Sequence, residues 1–132
     1  MPQQITQLAL LVADYDEALA FYVGVLGFEC VEDTDLGGGK RWVRVRPRGS
    51  DGAGILLARA VDEAQRASVG RQTGGRVFLF LETDDFDREH AAMTARGVRF
   101  VREPRDESYG TVAVLEDLYG NWIDLIGPRA SA

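Results

Sequence analysis

Two similar halves make up most of the sequence, and this internal repeat restricts the possible folds more than any other feature. In each half, a strand-like apolar stretch leads through acidic residues into a helix-like segment, a glycine and a second strand-like stretch. The first copy starts at Gln7 and reaches its glycine at Gly27, and the second starts at Arg76 and reaches its glycine at Gly97. Self-similarity at a fixed spacing is typical of one supersecondary unit used twice. We therefore align Gln7 with Arg76.

The helix of the first half has clear start and stop signals. Asp14 is a candidate N-cap, and Glu17 three residues later completes a capping-box pattern. Gly27 suits the left-handed position that follows many helices. The apolar stripe predicted for this helix consists of Tyr15, Leu19, Tyr22 and Leu26.

The second half repeats this pattern, with Asp84 or Asp85 as the N-cap and with Phe86 and Met93 on the apolar stripe. Further strands follow each helix, so each half has the order strand, helix and three strands. The strands predicted after the helices are Phe28–Glu32, Arg41–Arg46 and Ile55–Ala58 in the first half, and Val98–Arg102, Thr111–Leu115 and Trp122–Ile126 in the second.

The connections divide the chain into modules. We predict a single domain over residues 1–132, in which residues 1–60 and 76–127 are the two modules and residues 61–75 are the linker, with a short helix in its first part. Gly37–Gly39 is predicted to be a flexible loop, and Pro47–Gly52 and Asp117–Asn121 are turn-rich connections between strands.

Composition excludes several classes of function. The net charge of −6 disfavours binding to nucleic acid or to an anionic membrane surface, both of which require a basic face. No apolar run approaches the length of a membrane span, and Met1–Gln4 lacks the basic start of a signal peptide. Cys30, the single cysteine, excludes an internal disulfide and is expected to be a packed thiol. We therefore expect a cytoplasmic protein with neither a nucleic-acid nor a membrane partner.

Several segments resemble the vicinal-oxygen-chelate superfamily, which includes glyoxalase I, bleomycin-resistance proteins and extradiol dioxygenases. These segments are the first strand Ile5–Leu11, the helix Asp14–Tyr22, the stop Leu26-Gly27-Phe28 and the closing stretch Glu116–Leu125. The resemblance implies an α+β fold in which two βαβββ modules form a cupped mixed sheet with helices on its outer face. It also implies a homodimer and a small-molecule ligand held in the cup.

In the metal-dependent members of that superfamily, four cup-lining side chains hold a divalent ion, and the resemblance places these positions at Gln7, Leu56, Arg76 and Asp124. Leu offers no donor atom, and Arg remains a cation that repels a metal ion. We therefore predict no metal and no other cofactor, with Arg76 in the charge position of the metal and paired with Asp124. A divalent metal is the alternative, for which Glu82 would have to supply a further ligand.

Other candidate ligand-binding residues follow from strand alternation. If Leu8, Leu10 and Val12 face the helix, Gln7 faces the cup, and the same argument applies to the later strands. The set that could contact a ligand, each with a simple packing or turn role as its alternative, is Gln7, Trp42, Arg44, Leu56, Arg76, Phe78, Phe80, Tyr109, Trp122 and Asp124. His90, the only histidine, is expected to pack half-buried at the edge of its helix.

Three functions are compatible with this pattern. The first is binding of a small organic molecule in the cup, as in bleomycin-resistance proteins, without the metal of the family. The second is an enzyme, either a metal-dependent glyoxalase (a lyase) or dioxygenase acting on two adjacent oxygens, or a metal-free proton-transfer enzyme. The catalytic candidates for the metal-free reaction are Glu82 or Asp124 as base and Arg76 as oxyanion stabiliser. The third is an interaction module whose cup is filled by its own side chains.

Overall fold

A computed structural model describes residues 2–128 and divides into two compact units, the first ending at Gly70 and the second beginning at Arg71. Each unit contains one four-stranded sheet. The elements are β1 (Gln7–Val12), α1 (Tyr15–Leu19) with a π-helical continuation (Ala20–Val25), β2 (Phe28–Gly37), β3 (Lys40–Pro47), β4 (Gly54–Arg59), α2 (Glu63–Ser68), β5 (Val77–Glu82), α3 (Phe86–Ala95), β6 (Phe100–Glu107), β7 (Gly110–Glu116) and β8 (Trp122–Pro128). The predicted α+β class and the βαβββ order are confirmed.

The two sheets have the same topology. Their strand orders are β1-β4-β3-β2 and β5-β8-β7-β6. The first and last strands of each unit run parallel, whereas the other neighbours are antiparallel. A parallel pair needs a long crossover, and the helix with the following hairpin supplies it. Within residues 2–128, no helix is both long and apolar enough to cross a bilayer.

The first helix begins as predicted but changes its winding. The backbone N–H of Glu17 donates to the Asp14 carboxylate at 2.8 Å, which confirms the N-cap. After Leu19 the chain forms a π-helix, in which the Leu26 N–H donates to the carbonyl of Phe21. The wider turn shifts the buried stripe to Tyr15, Ala18, Tyr22 and Leu26, so that the predicted stripe residue Leu19 is only half-buried.

The prediction of a flexible loop at Gly37–Gly39 was wrong. Strand β2 runs to Gly37 rather than ending at Glu32, and β3 begins at Lys40. Gly38 and Gly39 connect them with φ of 63° and 83°, and a two-residue hairpin turn of this hand requires positive φ at both central residues. The glycines therefore form a tight turn.

In the second unit, α3 lies directly against the last strand. The N–H of Arg88 donates to the Asp85 carboxylate at 3.2 Å, which identifies Asp85 as the N-cap. A Cβ built on Gly127 would lie 2.7 Å from the Phe86 Cβ, so the absence of a side chain allows this close packing. Strand β6 starts at Phe100 rather than Val98 and contains Pro104, which is tolerated because β6 is an edge strand.

Each sheet buries the alternate residues that face its helix. The first core includes Leu10, Val12, Tyr22, Val43, Val45 and Leu57, and the second includes Met93, Leu115, Ile123 and Leu125. One prediction of burial was wrong: Cys30, expected to be a packed thiol, is exposed on the edge strand β2. Leu8 is 57% exposed because it lies near the start of the other edge strand, β1.

Candidate functional site

Strand β3 shows which face of the first sheet the helix covers. The backbone N–H of Arg41 donates to the Tyr15 hydroxyl, and the Arg41 guanidinium donates to Asp16 on α1. Val43 and Val45, on the same side of the strand as Arg41, are fully buried. The residues between them point to the opposite side, which we call the open face of unit 1: Trp42, Arg44 and Arg46 of β3 and Leu56 of β4.

Strand register sets one row of side chains across this open face. Arg44 pairs with Leu56 on one side and with Glu32 on the other, and Leu56 pairs in turn with Ala9 of β1. The structure therefore brings three of the predicted ligand-binding residues together here, namely Trp42, Arg44 and Leu56. Gln7 lies at the start of β1, opposite Gly54 and half-buried.

The arginines of the open face of unit 1 are only partly neutralised. Arg44 Nη1 lies 3.9 Å from a Glu32 carboxylate oxygen, and Arg46 Nε lies 3.5 Å from Glu29. The Nε atoms of both arginines are shielded from solvent and donate no hydrogen bond within the part of the chain that the structure describes. A buried N–H without an acceptor is costly, so both guanidinium groups lack the pairing that a purely structural arginine would have.

On the helix-covered face, by contrast, Arg41 is fully engaged. Its guanidinium donates to Asp33 at 2.7 Å and to Asp16 at 2.9 Å, and it lies over the Tyr15 ring with the Cζ atom 5.1 Å from the centroid. The hydrogen bonds from Arg41 lower the pKa of Asp33. This cluster joins β2 and β3 to α1, and its donors are used in that structural role.

In the second unit, the position of Gly127 against Phe86 identifies the helix-covered face of β8. Ile123 and Leu125, which share this side, are fully buried as predicted. The alternate residues lie on the opposite side. We call this side the open face of unit 2, formed by Trp122, Asp124 and Ile126 of β8, Phe80 of β5, Val114 of β7 and Arg102 of β6.

Asp124 lies in the middle of a row on this open face. It pairs with Phe80 on one side and Val114 on the other, and Val114 pairs with Arg102. Burial raises the pKa of the Asp124 carboxyl, and the positive charge of Arg102 opposes this rise in part. Arg102 also lies over the Trp122 ring, with its Cζ atom 5.6 Å from the centroid.

The apolar character of this face is unusual for an exposed surface. Phe80 is 65% exposed although it is a large aromatic residue, and its row neighbours are Asp124 and Val114. Ile126 pairs with Val112 further along. A mostly apolar surface with one desolvated polar group is typical of sites for small organic molecules.

The predicted pairing of Arg76 with Asp124 was wrong. Arg76 precedes β5 and is exposed, and no ion pair joins it to Asp124 within residues 2–128. The register explains the error. Leu10 pairs with Leu57 as Leu81 pairs with Leu125. Three residues earlier on β4 and β8, Gly54 pairs with Gln7 and Trp122 pairs with Val77, so the register aligns Gln7 with Val77 rather than with Arg76.

The remaining candidates are dispersed. Phe78 is half-buried at a register shift in β5, and Glu82 is exposed at the end of that strand, opposite Ile126. Tyr109 lies in the two-residue turn between β6 and β7 and is 57% exposed, which matches its predicted alternative as a turn residue. Neither Glu82 nor Tyr109 contacts Asp124 through any hydrogen bond or ion pair in the described residues.

The donor set does not fit the divalent metal of the metal-dependent relatives. Of the positions mapped by resemblance, only Gln7 and Asp124 carry oxygen donors, and replacing Arg76 by Val77 in the alignment adds no donor. Across residues 2–128, no group of three or more His, Cys, Asp or Glu side chains is arranged to hold a metal ion. Two oxygen donors are too few for a stable oxygen-ligated site.

The turn Asp117–Asn121, which belongs to the closing stretch Glu116–Leu125 of the family resemblance, has a structural role. The buried Asp117 carboxylate accepts hydrogen bonds from the backbone of Tyr119 and Asn121 and from the Asn121 side chain, each at 2.9 Å. These bonds hold the start of β8 and thereby the positions of Trp122 and Asp124. The predicted turn is confirmed.

His90 has the packing role that was expected. Its ring stacks on Phe86 at a centroid distance of 5.8 Å and lies 4.4 Å from the Phe100 ring. It is half-buried on α3, on the helix-covered side.

Sequence reasoning missed Arg102, Arg46 and the carboxylates of β2. The predicted strand Val98–Arg102 ended at Arg102, so its position beside Val114 and across from Asp124 was not evident. Counting residue pairs outwards from the turn between β6 and β7 could have predicted the neighbour of Arg102. The register shifts in β6 make such a count incorrect.

Comparison with known proteins identifies relatives along nearly the whole chain. The family model of the Glyoxalase/Bleomycin resistance protein/Dioxygenase superfamily matches residues 4–125. An uncharacterized protein of Shewanella frigidimarina is 54% identical and aligns with 96% of this chain and 94% of its own length.

Solved structures agree with this match. The structure of UcmS2 has a TM-score of 0.84 and 29% identity, and the similarity covers 96% of this chain and 99% of that one. TnmS3, an antibiotic binding protein from Streptomyces sp. CB03234, has a TM-score of 0.78 and 29% identity, covering 97% of this chain and 98% of the other.

Proposed function

Because the chain belongs to the glyoxalase/bleomycin resistance protein/dioxygenase superfamily, we propose that it binds a small aromatic organic molecule on the open faces of its sheets, without the metal of the metal-dependent members. The observation that carries the proposal is the open face of unit 2. There Phe80, Trp122 and Val114 surround the half-buried Asp124. The similarity to TnmS3, an antibiotic binding protein, supports a ligand of this kind.

The physical basis is the burial of apolar surface. Phe80 and Trp122 offer ring faces that gain free energy when a flat ligand removes them from water. Asp124 adds a single polar contact that orients the ligand, and its desolvation strengthens any hydrogen bond that it makes.

The test uses the neutral fluorescent probe N-phenyl-1-naphthylamine, whose emission rises in an apolar site. We expect saturable binding and about a tenfold weaker Kd for Phe80→Ala, because the variant removes much of the apolar area of the face. Leu36→Ala is the matched control, since Leu36 is also a large exposed apolar residue, 52% exposed, but lies at the tip of the β2–β3 hairpin. Absence of binding, or equal affinities of the two variants, would contradict the proposal.

A second candidate function, metal-free proton transfer, is favoured by one observation. Burial raises the pKa of Asp124, which suits a general base. Arg102, rather than Arg76, lies in the same row and would stabilise an oxyanion. Exchange of ligand protons for deuterium in D₂O, followed by NMR and abolished in Asp124→Asn, would favour the enzyme over the binding protein.

The proposal includes a homodimer in the cytoplasm. The dimer is implied by the resemblance to the superfamily, and the cytoplasm is supported by the single exposed cysteine, which a reducing compartment keeps as a thiol. Sedimentation equilibrium would measure the dimer directly, and a mass of one chain would contradict it.

A further inference from the structure

Two Nε donors on the open face of unit 1, those of Arg44 and Arg46, have no hydrogen-bond acceptor within residues 2–128, and Arg44 is the one next to Trp42 on that face. Arg44 Nε is shielded from solvent and donates no hydrogen bond in the described part of the chain. Within residues 2–128, Arg44 forms an ion pair with Glu32 alone, whose carboxylate is 3.9 Å from Nη1 and therefore beyond hydrogen-bond distance. Leaving a buried N–H of a charged group unpaired is destabilising, and native structures contain few such groups.

The neighbouring arginine of the same strand shows what a satisfied guanidinium looks like here. Arg41 donates to two carboxylates, Asp33 and Asp16, at 2.7 Å and 2.9 Å. The side chain of Arg44 is 27% exposed, which is close to the 25% exposure of Arg41, so exposure does not explain the difference. The difference is in the acceptors: the β4 partner of Arg44 is Leu56, whose side chain has no acceptor.

The β4 side of Arg44 offers no polar side chain for a bridging water. A buried water needs two to four polar partners, and the row beside Arg44 on the β4 side contains only Leu56 and Ala9. On the same strand face, Trp42 precedes Arg44 by one strand repeat and offers an aromatic ring. The site therefore combines an unpaired cationic donor with an aromatic and an aliphatic neighbour.

From this arrangement we infer that Arg44 receives an acidic oxygen of a ligand on the open face of unit 1, and that this ligand is an aromatic anion carrying a carboxylate, sulfonate or similar group. The inference deepens the proposed function and rests on it. Guanidinium binds such groups through paired, charge-assisted hydrogen bonds. Trp42 and Leu56 contact the apolar part of the ligand next to its acidic group.

A matched pair of probes separates the anionic group from the aromatic body. 8-Anilinonaphthalene-1-sulfonate and N-phenyl-1-naphthylamine share the same ring system, and only the first carries a sulfonate. For the wild-type protein we expect the sulfonate probe to bind about tenfold more tightly, as one charge-assisted contact provides. The measured quantity is the ratio of the two Kd values, which cancels general effects on apolar binding.

Variants of Arg44 test whether this residue causes the preference for the sulfonate probe. Arg44→Gln is expected to reduce the ratio to near one, because it removes the charged contact to the sulfonate. Arg44→Lys keeps the charge but loses the fork of donors, so its ratio falls between the two. Arg48→Gln is the control, since Arg48 is an exposed arginine in the β3–β4 loop, and it retains the full ratio. Far-UV circular dichroism and the neutral-probe affinity verify that each variant is folded.

The outcomes separate the inference from the proposed function. A ratio near one in the wild-type protein, or an unchanged ratio in Arg44→Gln, overturns the inference while binding of the neutral probe leaves the proposed function standing. Failure of both probes to bind overturns the proposed function and the inference together. If Arg44→Gln instead changes the sedimentation coefficient with the ratio unchanged, the face is covered by a second copy of the chain and the inference is wrong.

Discussion

At Asp124, burial and charge act in opposite directions on one carboxyl group. Burial on the open face of unit 2 raises its pKa, and Arg102 lowers it in part. Since the native chain holds this proton more tightly than the unfolded chain, the native state binds more protons over the interval between the two pKa values. The free energy of unfolding therefore falls as the pH rises through that interval.

The corresponding prediction concerns Asp124→Asn. The amide cannot ionise, so the variant should melt about 1–2 °C above the wild-type protein at pH 7.5. The difference should disappear in acid, below the ordinary aspartate pKa, where both side chains are neutral. Differential scanning calorimetry across pH measures this, with Asp51→Asn in the exposed β3–β4 loop as control. A lower melting temperature for Asp124→Asn at pH 7.5 would show that ionised Asp124 stabilises the fold.

Single residues were predicted well where alternation is regular and poorly where it is not. Trp122 and Asp124 were placed correctly opposite buried Ile123 and Leu125, because β8 is a central strand with full pairing. The partner of Asp124 was misassigned to Arg76. Pairing across a sheet depends on register, and one extra residue in β5 moves every earlier position to a different neighbour.

At the scale of elements, Gly24 and Gly127 differ in whether their surroundings leave room for a side chain. A Cβ on Gly127 would meet the Phe86 Cβ at 2.7 Å, whereas a Cβ on Gly24 in the π-helical segment would have nothing within 4 Å. Neither glycine has a positive φ. Gly127 therefore has a steric role in joining β8 to α3, and Gly24 has none.

These two glycines give opposite predictions. Gly127→Ala should lower the free energy of unfolding by about 1–3 kcal/mol, because α3 must move away from β8. Gly24→Ala should raise it by about 0.5–1 kcal/mol, because alanine restricts the unfolded chain and favours a helix. Urea unfolding followed by circular dichroism measures both. Equal effects of the two substitutions would mean that the contact between Gly127 and Phe86 does not limit packing.

Elements were more predictable from the sequence than the site. The caps at Asp14 and Asp85 follow from local chemistry, because a side chain near the helix start satisfies free N–H groups whatever lies further away. The π-helical winding after Leu19 has no comparable local signal. It arises where tertiary packing places Tyr22 and Leu26 in the core.

At the scale of the whole molecule, two units with the same topology carry different open faces. The central row of unit 1 has Leu56 beside Arg44, and that of unit 2 has Asp124 beside Val114. Since Leu56 and Asp124 occupy equivalent places in β4 and β8, the repeat has kept its core and exchanged its charges. This difference is why the resemblance was sufficient to predict the fold, whereas the chemistry of the open faces has to be argued from the side chains that they carry.

The central claim is that these open faces bind an organic ligand and do not hold the family metal. The most direct measurement is elemental analysis of protein purified without chelators and then soaked separately with Ni²⁺, Zn²⁺, Fe²⁺ and Mn²⁺. We expect less than about 0.1 ion per chain in every case, because Gln7 and Asp124 are too few donors. Near-stoichiometric metal that is lost in Asp124→Ala would contradict the claim and would favour a metal-dependent glyoxalase or dioxygenase.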